Sequence, residues 1–349
     1  MFSTLLMLLA CAGDKVTDTS ADTIVEDTSI TDTQSTDTDG QDTVTVDGEY
    51  VDQDCIDGQY SEVVPTPNAN IDSIKDTYSS SNVEGFISDV LGQRFTVGQY
   101  IFQQGVQATG NFPDTCLNYF LGDSSSAGSV IGQLSTIVHE CGHFLDLDLR
   151  DWGENVYVFT DELTITCEDG STPDNGGGQT FSRSLINDDA YASLHPPCAT
   201  FTDQGCDSYA AIYLDGDPNN GNFESGDQGY GMLHEETLQY VNSLATSYAF
   251  GDELAYSTSA RDGILTFLWY TMRYLRLARL EYPQTYTHLS QNSCWRDLIL
   301  NTWGRAWLYL ELTAGSSSLG INDDFLMTLV MEPELLAEIQ RLRDIEGCQ

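Results

Sequence analysis

Apolar positions follow a helical period over much of this chain. Ile131, Leu134, Val138, Cys141 and Leu145 recur three and four residues apart, which predicts a helix over 129–147 with one buried stripe. Ser124 to Ser126 supplies a start signal for it. The same period returns at Leu233, Leu238, Val241 and Leu244, predicting a helix over 233–245. Further helices are expected at 264–281, 295–311 and 333–342, with Pro333 suited to a first helical turn. Residues 71–90 also read as helical. The cluster Phe95, Val97, Tyr100, Ile101 and Phe102 reads instead as strand within 94–107, and 155–160 and 163–166 read as short strands. The expected fold class is α+β, with a small N-terminal mixed sheet, then the 129–147 helix, then a mainly α-helical C-terminal part. A single domain over 49–349 is expected, its α+β part at 49–228 and its helical part at 229–349.

The N-terminus has a different composition. Leu5 to Ala10 is an apolar run too short to span a bilayer, and Leu8-Leu9-Ala10-Cys11 resembles the bacterial lipoprotein signal, which implies lipidation at Cys11. No Lys or Arg precedes the run, a departure from that pattern. Residues 12–48 are dominated by Asp and Thr and cannot bury enough apolar surface to offset chain entropy, so they read as a disordered tether. Extracytoplasmic placement on a bacterial membrane follows as an expectation. Residues 264–280 contain three arginines, which a lone spanning helix would tolerate poorly.

The chain has 54 acidic and 13 basic residues among 349, for a formal net charge of -41. Such a surface argues against nucleic acid or anionic lipid as a partner and does not identify a substrate; a monomer that touches the membrane only through the lipid is expected, and the expectation of a protein or peptide substrate rests on His139, Glu140 and His143 and not on charge. Of nine cysteines, eight remain once Cys11 is set aside, an even number that suggests disulfides in an oxidising compartment. Cys198 with Cys206 reads as a local loop, Cys348 as pinning the C-terminus to a partner such as Cys294, and Cys141 as anchoring its helix to a neighbouring loop.

The 129–147 helix carries the chemistry. His139 and His143 lie one turn apart, so both imidazoles can share a cation while Glu140 sits beside them. In this H-E-x-x-H arrangement two histidines hold Zn²⁺ and the glutamate takes a proton from water. Position 149 is Leu, where the metzincin pattern has a third histidine, and Asp146 stands where that pattern has glycine. The motif therefore resembles gluzincin-type zincin metallopeptidases, and that resemblance implies a glutamate ligand from a later segment.

Glu154, Glu162, Glu235 and Glu236 compete for that place. Glu236 is preferred because it lies on a helix near the face of Leu233 and Tyr240, and a helix is the more rigid platform. The segment 233–240 also looks like the Glu-x-x-x-Tyr helix of bacterial surface lipoproteins that carry H-E-x-x-H. Tyr240, His234, Tyr230 and His195 are candidate oxyanion donors. The expected activity is that of a zinc metallopeptidase with Glu140 as general base; the alternative is a non-catalytic surface-binding or adhesion protein on the same fold. Asp215 to Asp227 spaces oxygen donors two apart, as Ca²⁺ loops do, but places glycine seventh and Gly226 twelfth. A polar surface loop is the favoured reading there, with Ca²⁺ as a second candidate cation.

Overall fold

The computed structural model describes residues 43–45, 50–108, 110, 112–168, 183–193, 195–199, 203, 205–214 and 229–348. The expectations for Cys11, for most of the 12–48 tether and for a calcium loop at Asp215 to Asp227 lie outside the described residues.

The fold is mostly helical. In chain order it comprises β1 (Thr43–Thr45), β2 (Ser61–Val63), α1 (Asp72–Asp76), α2 (Val83–Arg94), α3 (Thr96–Gln107), α4 (Cys116–Phe120), α5 (Ala127–Ile131) and α6 (Leu134–Leu149). Next come β3 (Glu154–Val158), β4 (Thr164–Glu168), α7 (Ala210–Tyr213), α8 (Tyr230–Ala249) and α9 (Ala260–Glu281). The chain closes with α10 (Pro283–Gln291), α11 (Ser293–Leu312), α12 (Asp323–Val330) and α13 (Pro333–Glu346). β1 pairs with β2 and β3 with β4, both antiparallel, with Val44 opposite Glu62 and Asn155 opposite Cys167. No helix among the described residues is long and apolar enough to cross a membrane.

Two expectations are corrected. The stretch expected as strand at 94–107 is the end of α2 and the helix α3, so no mixed sheet precedes the H-E-x-x-H helix among the described residues. The buried positions of α3 are Val97, Gly98, Ile101, Phe102, Gly105 and Val106, a helical spacing in which two glycines occupy the buried face. Reading only the large apolar residues missed them. A Cβ at Gly105 would lie 2.1 Å from the Cys141 carbonyl oxygen, so the bare glycine lets α3 approach the backbone of α6. The tether is also shorter than expected at its end, because Thr43-Val44-Thr45, rich in β-branched residues, forms β1.

Other elements match their signals. Ser126 caps α5, its side chain accepting from the Ser129 N–H, and Gly132 and Gln133 separate α5 from α6 within the single helix expected at 129–147. Pro333 opens α13, and Gly347, at φ 94°, ends it in the left-handed region that glycine adopts without strain.

Helix α8 is the centre of the fold. All but two of its residues are buried, and α6, α9 and α11 pack around it. Leu233, Leu238, Val241 and Leu244 are fully buried there, each contributing roughly 2 kcal/mol of apolar burial. The helix also buries polar side chains, and several of these pair internally. Gln239 donates to Asp146 Oδ2 (3.0 Å), Asn242 donates to Gln239 Oε1 (2.8 Å), and Arg305 donates to Asn242 Oδ1 (2.8 Å). Arg305 also pairs at 2.8 Å with Glu62, which accepts from the Tyr60 and Tyr309 hydroxyls. A buried polar chain thus runs from α6 through α8 to β2.

Four disulfides clamp the helices: Cys55–Cys348, Cys116–Cys141, Cys167–Cys294 and Cys198–Cys206. The local Cys198–Cys206 pair and the anchoring role of Cys141 are as expected. The C-terminus, however, is pinned to Cys55 and not to Cys294. Arg343 explains the difference, since it docks the end of α13 on Asp57 at 2.6 Å and on the Tyr50 carbonyl at 2.9 Å, beside Cys55.

Candidate metal centre

The H-E-x-x-H residues project from α6 at its contact with α8. Gly142 makes that contact close: a Cβ there would lie 1.9 Å from Gln239 Oε1, and Gln239 is held by Asp146 and Asn242. On the other side the Cys116–Cys141 bridge ties α6 to α4. The helix is thereby fixed on both flanks of the motif.

Three atoms converge across this contact. His139 Nε2 and His143 Nε2 are 3.0 Å apart, and Glu236 Oε2 lies 3.7 Å from the first and 3.6 Å from the second. An ion with zinc-like bonds near 2.1 Å would set tetrahedral ligands about 3.3–3.5 Å apart, so the triangle has the size that such an ion requires. His139, His143 and Glu236 are all buried and form a group that could hold a metal ion. Glu236 Oε2 accepts no hydrogen bond, a costly arrangement for a buried carboxylate oxygen unless a cation faces it.

The chemistry of the surroundings fits a cation. Burial pushes His139 below the ordinary imidazole range, toward the neutral form. Burial alone would raise the Glu236 carboxyl, but the facing His143 and His139 hold it well below the usual carboxylate range. Neutral imidazole and ionised carboxylate are the forms that ligate metals. The far ring nitrogens are also held: His139 Nδ1 lies 3.0 Å from Ser243 Oγ, and His143 Nδ1 lies 2.6 Å from Glu235 Oε2. A proton on each Nδ1 would be accepted by these oxygens, and both Nε2 lone pairs would then be left for the shared position.

The four glutamates expected to compete now separate. Glu236 faces both histidines, and Glu235 orients His143 from behind. Glu162 is exposed in the turn between β3 and β4, and Glu154 is half-buried at the start of β3. The candidate oxyanion donors also separate. Tyr240 lines the cleft beside the site, its ring 5.0 Å from that of His139 and its hydroxyl 2.8 Å from that of Tyr213. His234 and Tyr230 pack on Trp295, and His195 packs on Trp269 and Phe325. Burial pushes His234 down to about 3, so it is neutral at ordinary pH.

Glu140 is fully buried and lines the same cleft as His139. Three contributors carried no sequence motif. Ser243 and Glu235 are recognisable only once α8 is laid against α6. Arg183 is buried 5.5 Å from the Tyr213 ring centre, with Glu236 among the charges that act on it. Comparison with protein-family models, curated proteins and solved structures gives no match for this chain.

Proposed function

We propose that the chain is a zinc-dependent metallopeptidase with Glu140 as general base, held outside the cytoplasm by a lipid on Cys11. The observation that carries this reading is the convergence of His139, His143 and Glu236 on one point, with Glu140 beside it at the wall of an open cleft. The four disulfides support an oxidising compartment.

His139, His143 and Glu236 would hold the ion, and Ser243 and Glu235 would fix the two rings. When bound, zinc supplies Lewis-acid polarisation of an acyl oxygen and acidifies water near neutrality. Glu140 takes the proton released as water attacks the acyl carbon, then returns it to the departing nitrogen. Water is thereby added across the C–N bond, leaving a carboxylate and an amine. Tyr240 is the phenol placed in the cleft to donate to oxygen as charge develops there.

A second reading draws on burial. His139, His143 and Glu236 are 4%, 5% and 3% exposed, low values that also suit an ion bracing α6 against α8 in a non-catalytic surface-binding protein. Glu140→Gln separates the two. For a peptidase, the variant keeps stoichiometric metal and its melting temperature while peptide hydrolysis falls by at least about a thousandfold. Metal bound with no hydrolysis by the native protein on a broad peptide library would favour the bracing role.

A further inference from the structure

The cleft lined by His139 and Glu140 is small. Its volume is about 140 Å³, close to the roughly 150 Å³ of an apolar cavity that takes one benzene molecule, so it admits one ring-sized group and not a length of chain. Ser135 and Thr136, one turn before His139 and Glu140, continue the same stripe of α6, and Gly132 stands two residues ahead of the helix at the head of that stripe. Gly132, Ser135 and Thr136 are half-buried, whereas His139 and Glu140 are buried. The cleft therefore opens toward Gly132 and closes at the H-E-x-x-H residues. Its other walls carry Tyr240 of α8, half-buried, and Tyr256 and Ile321, 57% and 43% exposed.

Gly132 is a glycine that neither the backbone nor the packing demands. Its φ of -62° and ψ of -9° are open to any residue. A Cβ there would meet the Gly128 carbonyl oxygen at 3.5 Å, and the Ser129 carbonyl oxygen and Tyr256 hydroxyl at 3.8 Å, which are ordinary contact distances. Gly105 and Gly142 differ, since a Cβ at either would collide with the neighbouring helix. What the missing side chain at 132 leaves is room in the cleft, beside the Tyr256 hydroxyl. The described lining includes no Lys or Arg, so an acidic side chain has no counter-charge in it, and its one carboxylate, that of Glu140, is buried. A ring, by contrast, finds the Tyr240 and Tyr256 rings and the Ile321 side chain to pack on.

We propose that this cleft is a specificity pocket for one uncharged aromatic side chain of the substrate, and that Gly132 sets the size it accepts. The assignment rests on the hydrolytic reading above. Because the pocket closes at His139 and Glu140, the side chain it holds belongs to a residue next to the cleaved bond. Any side chain at position 132 shortens the pocket from its open end.

Binding and cleavage test the two layers separately. Ligand-observed NMR titration of the zinc-loaded, full-length native protein compares the N-acetyl amides of phenylalanine, alanine, aspartate and lysine. The phenylalanine amide should bind at least about tenfold more tightly than the other three. Gly132→Leu should weaken the phenylalanine amide at least about tenfold more than the alanine amide, and Gly132→Ala should shift the ratio less but in the same direction, both with zinc stoichiometry and melting temperature retained. Equal binding of the four amides, tighter binding of the lysine or aspartate amide, or an unchanged ratio in both variants would each overturn the assignment. In capped peptides that differ at one position, kcat/KM should follow the same order and Gly132→Leu should move the preference toward alanine. Cleavage by the native protein with no preference for side-chain size would remove the pocket and keep the peptidase. Phenylalanine-selective binding that Gly132→Leu abolishes, with no cleavage by the native protein, would sustain the pocket's ligand class and overturn the hydrolytic reading.

Discussion

His143 Nδ1 lies 2.6 Å from Glu235 Oε2, while the next residue in the chain, Glu236, faces the same ring's other nitrogen from 3.6 Å. Two successive carboxylates therefore serve one imidazole from opposite edges. Glu235→Gln keeps the shape and loses the charge that fixes and polarises the ring, so metal affinity should fall about 10- to 100-fold with stoichiometry retained at saturation. Glu236→Gln should lose the site altogether. Competition against a chromophoric chelator measures both, and equal losses in the two variants would mean that their roles are misassigned.

The Cys116–Cys141 bridge predicts a stability effect that is felt at the metal. Its partners are 25 residues apart, for which the loop-entropy relation gives about 3.5 kcal/mol. Cys141 sits between Glu140 and Gly142, so the Cys116→Ser/Cys141→Ser protein should unfold at lower denaturant and also bind metal more weakly. A lower denaturant midpoint with unchanged affinity would show that α8 alone positions the motif.

Arg305 and Glu62 form a fully buried pair at 2.8 Å. Removing one partner strands the other, so Glu62→Gln should cost about 3–5 kcal/mol, whereas Glu62→Gln with Arg305→Met should recover a large part of that loss. Denaturant titration of the four proteins in the cycle reads the coupling. Additive losses would contradict it.

Asp262 gives a pH signature away from the metal. Burial pushes its carboxyl up to about 7, against the hydrogen bonds it accepts from the Ile321 and Asn322 N–H groups. The folded state therefore holds this proton more tightly than the unfolded state, where release falls near 4. Its contribution to stability is fully present below pH 4 and is lost as pH rises toward 7, a change on the order of a few kcal/mol. Asp262→Asn has no such proton, so its stability should decline less over that range than the native protein's. Parallel pH profiles of the two melting temperatures would refute the assignment.

How much of this was readable from residues alone varies with range. His139, Glu140 and His143 share a helical face by spacing, and Glu236 could be preferred because its own helix was visible from Leu233, Val241 and Leu244. Those are local properties. Glu235 and Ser243 acquire their roles only from the approach of α6 to α8, which Gly142 permits, and no period in the sequence reports that approach. Helix α3 was misread because two of its buried positions are glycines, which contribute no hydrophobicity to a pattern. Cys348 found Cys55 through Arg343 and Asp57, a contact across 286 residues that spacing cannot foresee.

The bridge between Cys55 and Cys348 encloses the other three disulfides and every residue of the metal centre. Covalently, the folded part is a ring closed at its own ends. A protease that nicks it once, anywhere between those two cysteines, opens the ring without releasing a fragment. Such a molecule would migrate near full mass on a non-reducing gel and fall into two pieces only when reductant is added.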